Sequence, residues 1–133
     1  MTVPMTSFLT TTLRIDAAVS GAAALLMGFG AGLLGPFLSL PVPLLFWAGV
    51  VLLPFVALLV AVAWRDRASR AVLFDIVLLN AAWVIVSFTI LVAGVVEPNM
   101  LGLAFMVAQA LAVTLFALLQ VSALRQAREA VLA

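Results

Sequence analysis

Apolar residues run almost unbroken along this chain, and the polar ones gather in a few narrow breaks. Four long apolar runs result, at about residues 15–37, 44–64, 71–96 and 100–124. Each is near or above the roughly 20 residues that a rise of about 1.5 Å per residue needs to cross a hydrocarbon layer about 30 Å thick. Inside lipid the backbone must satisfy its own hydrogen bonds, so such runs are expected as helices. A β-barrel is excluded because sustained alternation of apolar and polar residues is missing. The expectation is an all-α membrane protein: one transmembrane domain over residues 1–133, built as a four-transmembrane-helix antiparallel bundle.

The breaks fit that pattern. Gly35-Pro36 and Pro41-Val42-Pro43 are read as the first turn, because proline costs a helix a hydrogen bond. Residues 65–70, with three arginines and Asp66, form the second turn, and Glu97-Pro98-Asn99 forms the third. Short connections favour antiparallel neighbours.

Charge then sets the orientation. The six cations are Arg14, Arg65, Arg67, Arg70, Arg125 and Arg128. With four spans all of them fall on one face, whereas the other two loops carry only Glu97. Under the positive-inside rule both termini are cytoplasmic, in a multi-pass protein of a bacterial inner membrane. The first run exceeds the 7–15 residues of a signal-peptide core, so it is expected to stay as a span. Residues 1–13 are rich in Thr and lack charge, and Phe8, Leu9 and Leu13 are expected to rest at the interface.

Composition narrows the function. The chain of 133 residues is 68% hydrophobic and 8% charged, with mean hydropathy +1.41. A water-soluble domain of this size leaves too much surface exposed to hide that apolar content. The net charge of +1, without a basic patch bearing interleaved aromatics, argues against a nucleic-acid partner. Cys, His, Tyr and Lys are absent. Thiolate and imidazole metal ligation, histidine acid–base chemistry and cysteine nucleophiles are therefore excluded, and no cofactor is expected.

Within the spans a few small and polar residues stand out. Gly21, Gly28, Gly32 and Gly35 recur at spacings of seven, four and three on the first helix, a small-residue stripe suited to close helix packing. Arg14 and Asp16 lie near the start of that run. Asp16 is read as a first-turn carboxylate that complements the helix dipole, with Arg125 as a further partner, and Asp75 takes the same role on the third helix. No carboxylate is placed near mid-membrane. Asn80, Trp83, Ser87 and Gly94 share one face of the third span, and Gln109, Phe116 and Gln120 share one of the fourth. Counting from span centres gives two polar layers, Ser87 with Gln109 and Asn80 with Thr114. Such intramembrane contacts contribute roughly 0.6 kcal/mol each, up to about 1.7, and polar groups at this depth are also candidate ligand contacts. The second span lacks hydrogen-bonding side chains from Leu44 to Val62 and holds Pro54 near its middle, where a kink is expected. Trp47 and Trp64 near its ends are read as interfacial anchors.

The stretches Leu13-Arg14-Ile15-Asp16-Ala17 with Ser20-Gly21, Asn80-x-x-Trp83-Val84-x-x-Ser87, Gln109-Ala110 and Phe116-Ala117-x-x-Gln120 resemble small bacterial four-helix integral membrane proteins described as uncharacterised. The resemblance spans about residues 13–125. It implies the fold class and brings no activity with it. In size and span count the chain also resembles small multidrug-resistance transporters, but their reliance on a membrane-embedded Glu in the first helix finds no mid-span carboxylate here. The fluoride-channel family shares the span count, and its Phe-rich, Asn-containing patterns are not matched. The expected function is non-catalytic: an accessory or assembly subunit of a larger membrane complex, or an oligomeric scaffold, with the bilayer and other membrane subunits or itself as partners. The alternative is a small homo-oligomeric transporter or channel for a neutral or apolar molecule.

Overall fold

The computed structural model describes residues 1–132 and contains four helices, each long and apolar enough to cross a membrane. They are α1 (Ser7–Leu38), α2 (Val42–Ala63), α3 (Arg70–Val92) and α4 (Met100–Leu132). α1 packs along both α2 and α4, and α3 packs along α4. Among the described residues α2 and α3 make no extended contact, so the bundle is open along one side.

The helices differ from the apolar runs at their ends, and local chemistry explains each difference. α1 begins eight residues before the expected span. Thr6 caps it by accepting from Leu9 N at 3.2 Å, and Leu9 and Leu13 are buried. The Thr-rich start is therefore part of the helix, with Leu9 and Leu13 turned inward. Its hydroxyl groups do not oppose this, since Thr12 donates back to Leu9 O at 2.9 Å. At the other end Gly35 and Pro36 lie within the last turn of α1 rather than in the turn itself. The reversal falls at Ser39, which takes a left-handed conformation with φ 55°.

α3 stops at Val92, short of residue 96. Ala93 caps it and Gly94 adopts φ +73°. Val95 N then reaches Ile90 O at 3.2 Å and Gly94 N reaches Leu91 O at 3.3 Å, the paired bonds of a Schellman ending. Gly94 therefore terminates the helix and does not belong to the polar stripe of Asn80. α4 runs on to Leu132, eight residues past the expected end of the span at residue 124, with Ala127 buried in the extension.

Two short strands were not expected. β1 (Thr2–Pro4) pairs antiparallel with β2 (Arg67–Ser69), with Val3 opposite Ala68. Arg70 N donates to Met1 O at 3.0 Å and Met5 N to Asp66 O at 2.9 Å, extending the ribbon at both ends. An isolated two-stranded ribbon is marginal, but Val3 is fully buried in a cluster with Leu13, Leu59, Ile76, Ala123 and Ala127. The N-terminal segment, the α2–α3 connection and the end of α4 thus meet at one end of the bundle. Arg14 stacks on the Trp64 ring there, 4.5 Å from its centroid, a cation–π contact of the kind exposed arginines make with tryptophan.

At the opposite end Asn99 joins two helices. Its Oδ1 accepts from Gly102 N at 2.8 Å and caps α4, while its Nδ2 donates to Phe37 O at 2.8 Å and its backbone N to Leu38 O at 3.2 Å. Carbonyls left free at the end of α1 and amides left free at the start of α4 are satisfied by one residue. Asn99→Ala is expected to destabilise the bundle by about 1–2 kcal/mol, read as a lower melting temperature in detergent. Asn99→Asp keeps only the α4 cap and should recover part of the loss.

Candidate functional site

The deepest polar feature is a cluster that joins α1, α3 and α4. Asp16, Asn80 and Gln120 are 0%, 3% and 2% exposed. Ser20 Oγ donates to Asp16 Oδ1 at 2.8 Å. Asn80 Nδ2 donates to Asp16 Oδ2 at 2.9 Å and to Gln120 Oε1 at 2.9 Å, and Gln120 Nε2 donates to Asp16 Oδ2 at 2.6 Å. A carboxylate offers only acceptors, and here three neutral donors converge on one.

This overturns the first-turn reading of Asp16. Because α1 starts at Ser7, the residue lies in the third turn, facing inward with Leu13 and Ser20. Its partners among the described residues are Ser20, Asn80 and Gln120, not Arg14 or Arg125. Arg14 lies over Trp64, and Arg125 is exposed at a surface groove with Arg70 and Arg128. Depth follows from Asn80, ten residues after Arg70 and twelve before Val92. That is roughly 15 Å of helix on the arginine side, so the Asp16 carboxylate lies level with the middle of α3, where no carboxylate is expected from the sequence. Asp75 is not a first-turn carboxylate either: α3 starts at Arg70, which puts it in the second turn, where it is exposed.

A second polar group lies farther from the arginine end. Trp83 Nε1 donates to Gln109 Oε1 at 2.6 Å, and Gln109 Nε2 donates to Ser87 Oγ at 3.2 Å and to Met106 O at 2.9 Å. Ser87 and Gln109, counted to one level from the sequence, do meet. Asn80 and Thr114 do not: Thr114 donates to Ala110 O on its own helix at 2.7 Å, and Asn80 reaches Gln120 instead. The shift follows from Asp16, which draws both amides towards α1.

Between the two polar groups lies a cavity of about 370 Å³ walled by all four helices. Val51, Pro54 and Phe55 of α2 face Leu79 and Trp83 of α3 across it. Ser20, Asn80, Trp83 and Gln109 supply its only polar side chains, while Asp16 and Gln120 stand behind Ser20 and Asn80 and do not line it. A second cavity of about 280 Å³ continues beyond Trp83 and Gln109 and shares Met27, Val51 and Phe105 with the first. The cavity volumes fall within or just below the range usual for small-molecule sites.

The glycine stripe is divided in its roles. A Cβ on Gly35 would meet Val42 in the α1–α2 turn, and one on Gly21 would make ordinary contact with Val56. Cβ atoms on Gly28 and Gly32 would meet nothing within 4 Å. Two glycines outside the stripe permit close backbone approach: Gly49 of α2, whose Cβ position lies 2.7 Å from Gly28 N and 2.8 Å from Ala24 O, and Gly102 of α4, whose Cβ position would overlap Leu38 O at the end of α1. A lone glycine in a long apolar run gave no periodic signal.

No family model, curated protein or solved structure matches the chain. The functional reading therefore rests on this geometry.

Proposed function

We propose that the chain is a non-catalytic membrane protein that binds a neutral or apolar small molecule in the cavity among its four helices, working as a small homo-oligomeric transporter or channel. The observation that carries this reading is the cavity itself: all four helices wall it, and the buried Asp16–Asn80–Gln120 cluster stands behind one end. Helices that served only to fill a bilayer need no such space, and close packing is the rule where no ligand intervenes. The open side between α2 and α3 gives a solute an entrance from the lipid. In this reading the bundle is antiparallel in a bacterial inner membrane, with both termini and the arginine-rich connection cytoplasmic, as six cations on one side favour.

A second reading, an accessory subunit or scaffold for a larger membrane complex, is favoured by the outer face of α1. Gly28 and Gly32 have open space where side chains would point, beside the exposed Phe29 and Leu33. Small residues on a lipid-facing surface let another helix approach.

Isolation in mild detergent followed by native mass spectrometry separates the two. A homo-oligomer retaining a small apolar molecule, with flux of that molecule into proteoliposomes, is the result expected. Recovery only within a larger assembly, with no small molecule held and no flux, would favour the subunit role.

A further inference from the structure

The hydrogen-bond accounting around the cavity fixes what its polar atoms can offer a ligand, given that the cavity is a binding site as proposed above. Four polar side chains line it, and every hydrogen they could donate is already engaged. The Ser20 hydroxyl goes to Asp16, and the two Nδ2 hydrogens of Asn80 go to Asp16 and Gln120. The Trp83 indole N–H goes to Gln109, and the two Nε2 hydrogens of Gln109 go to Ser87 and Met106.

The acceptors are not used up. Among the described residues none donates to Asn80 Oδ1, although Asn80 is only 3% exposed. No buried side-chain polar atom lacks a partner, so this oxygen, which has none, reaches the cavity surface. Gln109 Oε1 receives one bond and has a second lone pair, and Ser20 Oγ donates without accepting. Asp16 is the cause of this polarity. From behind the wall it claims the Ser20 hydroxyl and one Asn80 hydrogen directly, and it orients Gln120, whose Oε1 takes the other.

We infer that the cavity selects small apolar molecules carrying a hydrogen-bond donor, an O–H or N–H group, which bonds to Asn80 Oδ1 while the ring or chain rests among Phe55, Phe105 and Phe116. A ligand with only acceptors meets oxygen against oxygen and gains nothing there. Asp16 is a positioning residue: it touches no ligand and sets which atoms of Ser20 and Asn80 face inward.

A matched pair of probes tests this: indole, which has an N–H, and 1-methylindole, which has none. Binding of each to the full chain in nanodiscs is measured against protein-free discs, so that partition into lipid is subtracted. Indole is expected to bind about five- to tenfold more tightly, the effect of one hydrogen bond. Asn80→Leu should bring the two probes to parity. If that variant does not fold, Val51→Trp, at an exposed position on the cavity mouth, should abolish binding of both probes and so place them in the cavity. Equal binding of the two probes to the unaltered protein would overturn donor selectivity and leave the cavity reading standing. Binding of neither would overturn both.

Discussion

Asp16→Leu is expected to lower the stability of the bundle by roughly 2–5 kcal/mol, from three hydrogen bonds lost at about 0.6–1.7 kcal/mol each within a membrane. Leucine fills the volume but accepts nothing. The Ser20 hydroxyl can turn to a carbonyl of its own helix, whereas one Nδ2 hydrogen of Asn80 and the Nε2 of Gln120 are left facing an apolar side chain. Asp16→Asn should fall between, because its oxygen can take the Oδ2 place and still accept from Asn80 and Gln120, while its N–H₂ turns to Ser20 Oγ and the charge-assisted character of the bonds is lost. Melting of the purified variants in one detergent, followed by loss of the folded species on gel filtration, gives the order wild type, Asn, Leu. A Leu variant as stable as wild type would show that the cluster does not hold α1, α3 and α4 together.

Gly49→Leu is expected to separate α1 from α2. The three heavy atoms nearest the Gly49 Cβ position are all backbone, namely Gly28 N at 2.7 Å, Ala24 O at 2.8 Å and Gly28 Cα at 3.0 Å. A flexible side chain could move aside, and a helix backbone cannot. Even Gly49→Ala forces the axes apart, at the 1–3 kcal/mol typical of overpacking, and leucine adds three more carbons to the same clash. Gly32→Leu provides the contrast, since its Cβ would enter open space, and its melting temperature should stay near wild type. Equal losses at positions 32 and 49 would mean that the crossing is not where these distances put it.

The four helices could be read from the chain because lipid imposes one rule on every residue of a span, and a run of some twenty apolar residues states it plainly. The ends were less legible. Residues 7–14 are polar enough to look like a tail, yet the Thr12 hydroxyl bonds back to Leu9 O within its own helix, and Leu9 and Leu13 face inward. That misplaced start put Asp16 in a first turn and hid its depth. Residue counting brought Ser87 to Gln109, since both stand on helices whose centres are well defined there. It missed Asn80 with Gln120 because a carboxylate on a third helix decides that pairing, and no two-helix periodicity contains the third. The strands leave almost no trace, as three residues such as Arg67-Ala68-Ser69 carry no period. The cavity had only an indirect signal, the absence of hydrogen-bonding side chains along α2 facing a polar stripe on α3.

The pairing of Thr2–Pro4 with Arg67–Ser69 has a consequence for how the protein is made. The Arg67 side chain that holds Thr2 is translated sixty-five residues after it, behind the whole of α1 and α2. Until then Val3 has no Ala68 to rest against, and Thr2–Pro4 have no strand partner. Pairing of the ribbon therefore waits on the arginine-rich segment at mid-chain, and closure of the cluster around Val3 waits longer, on Ala123 and Ala127 near the end of α4.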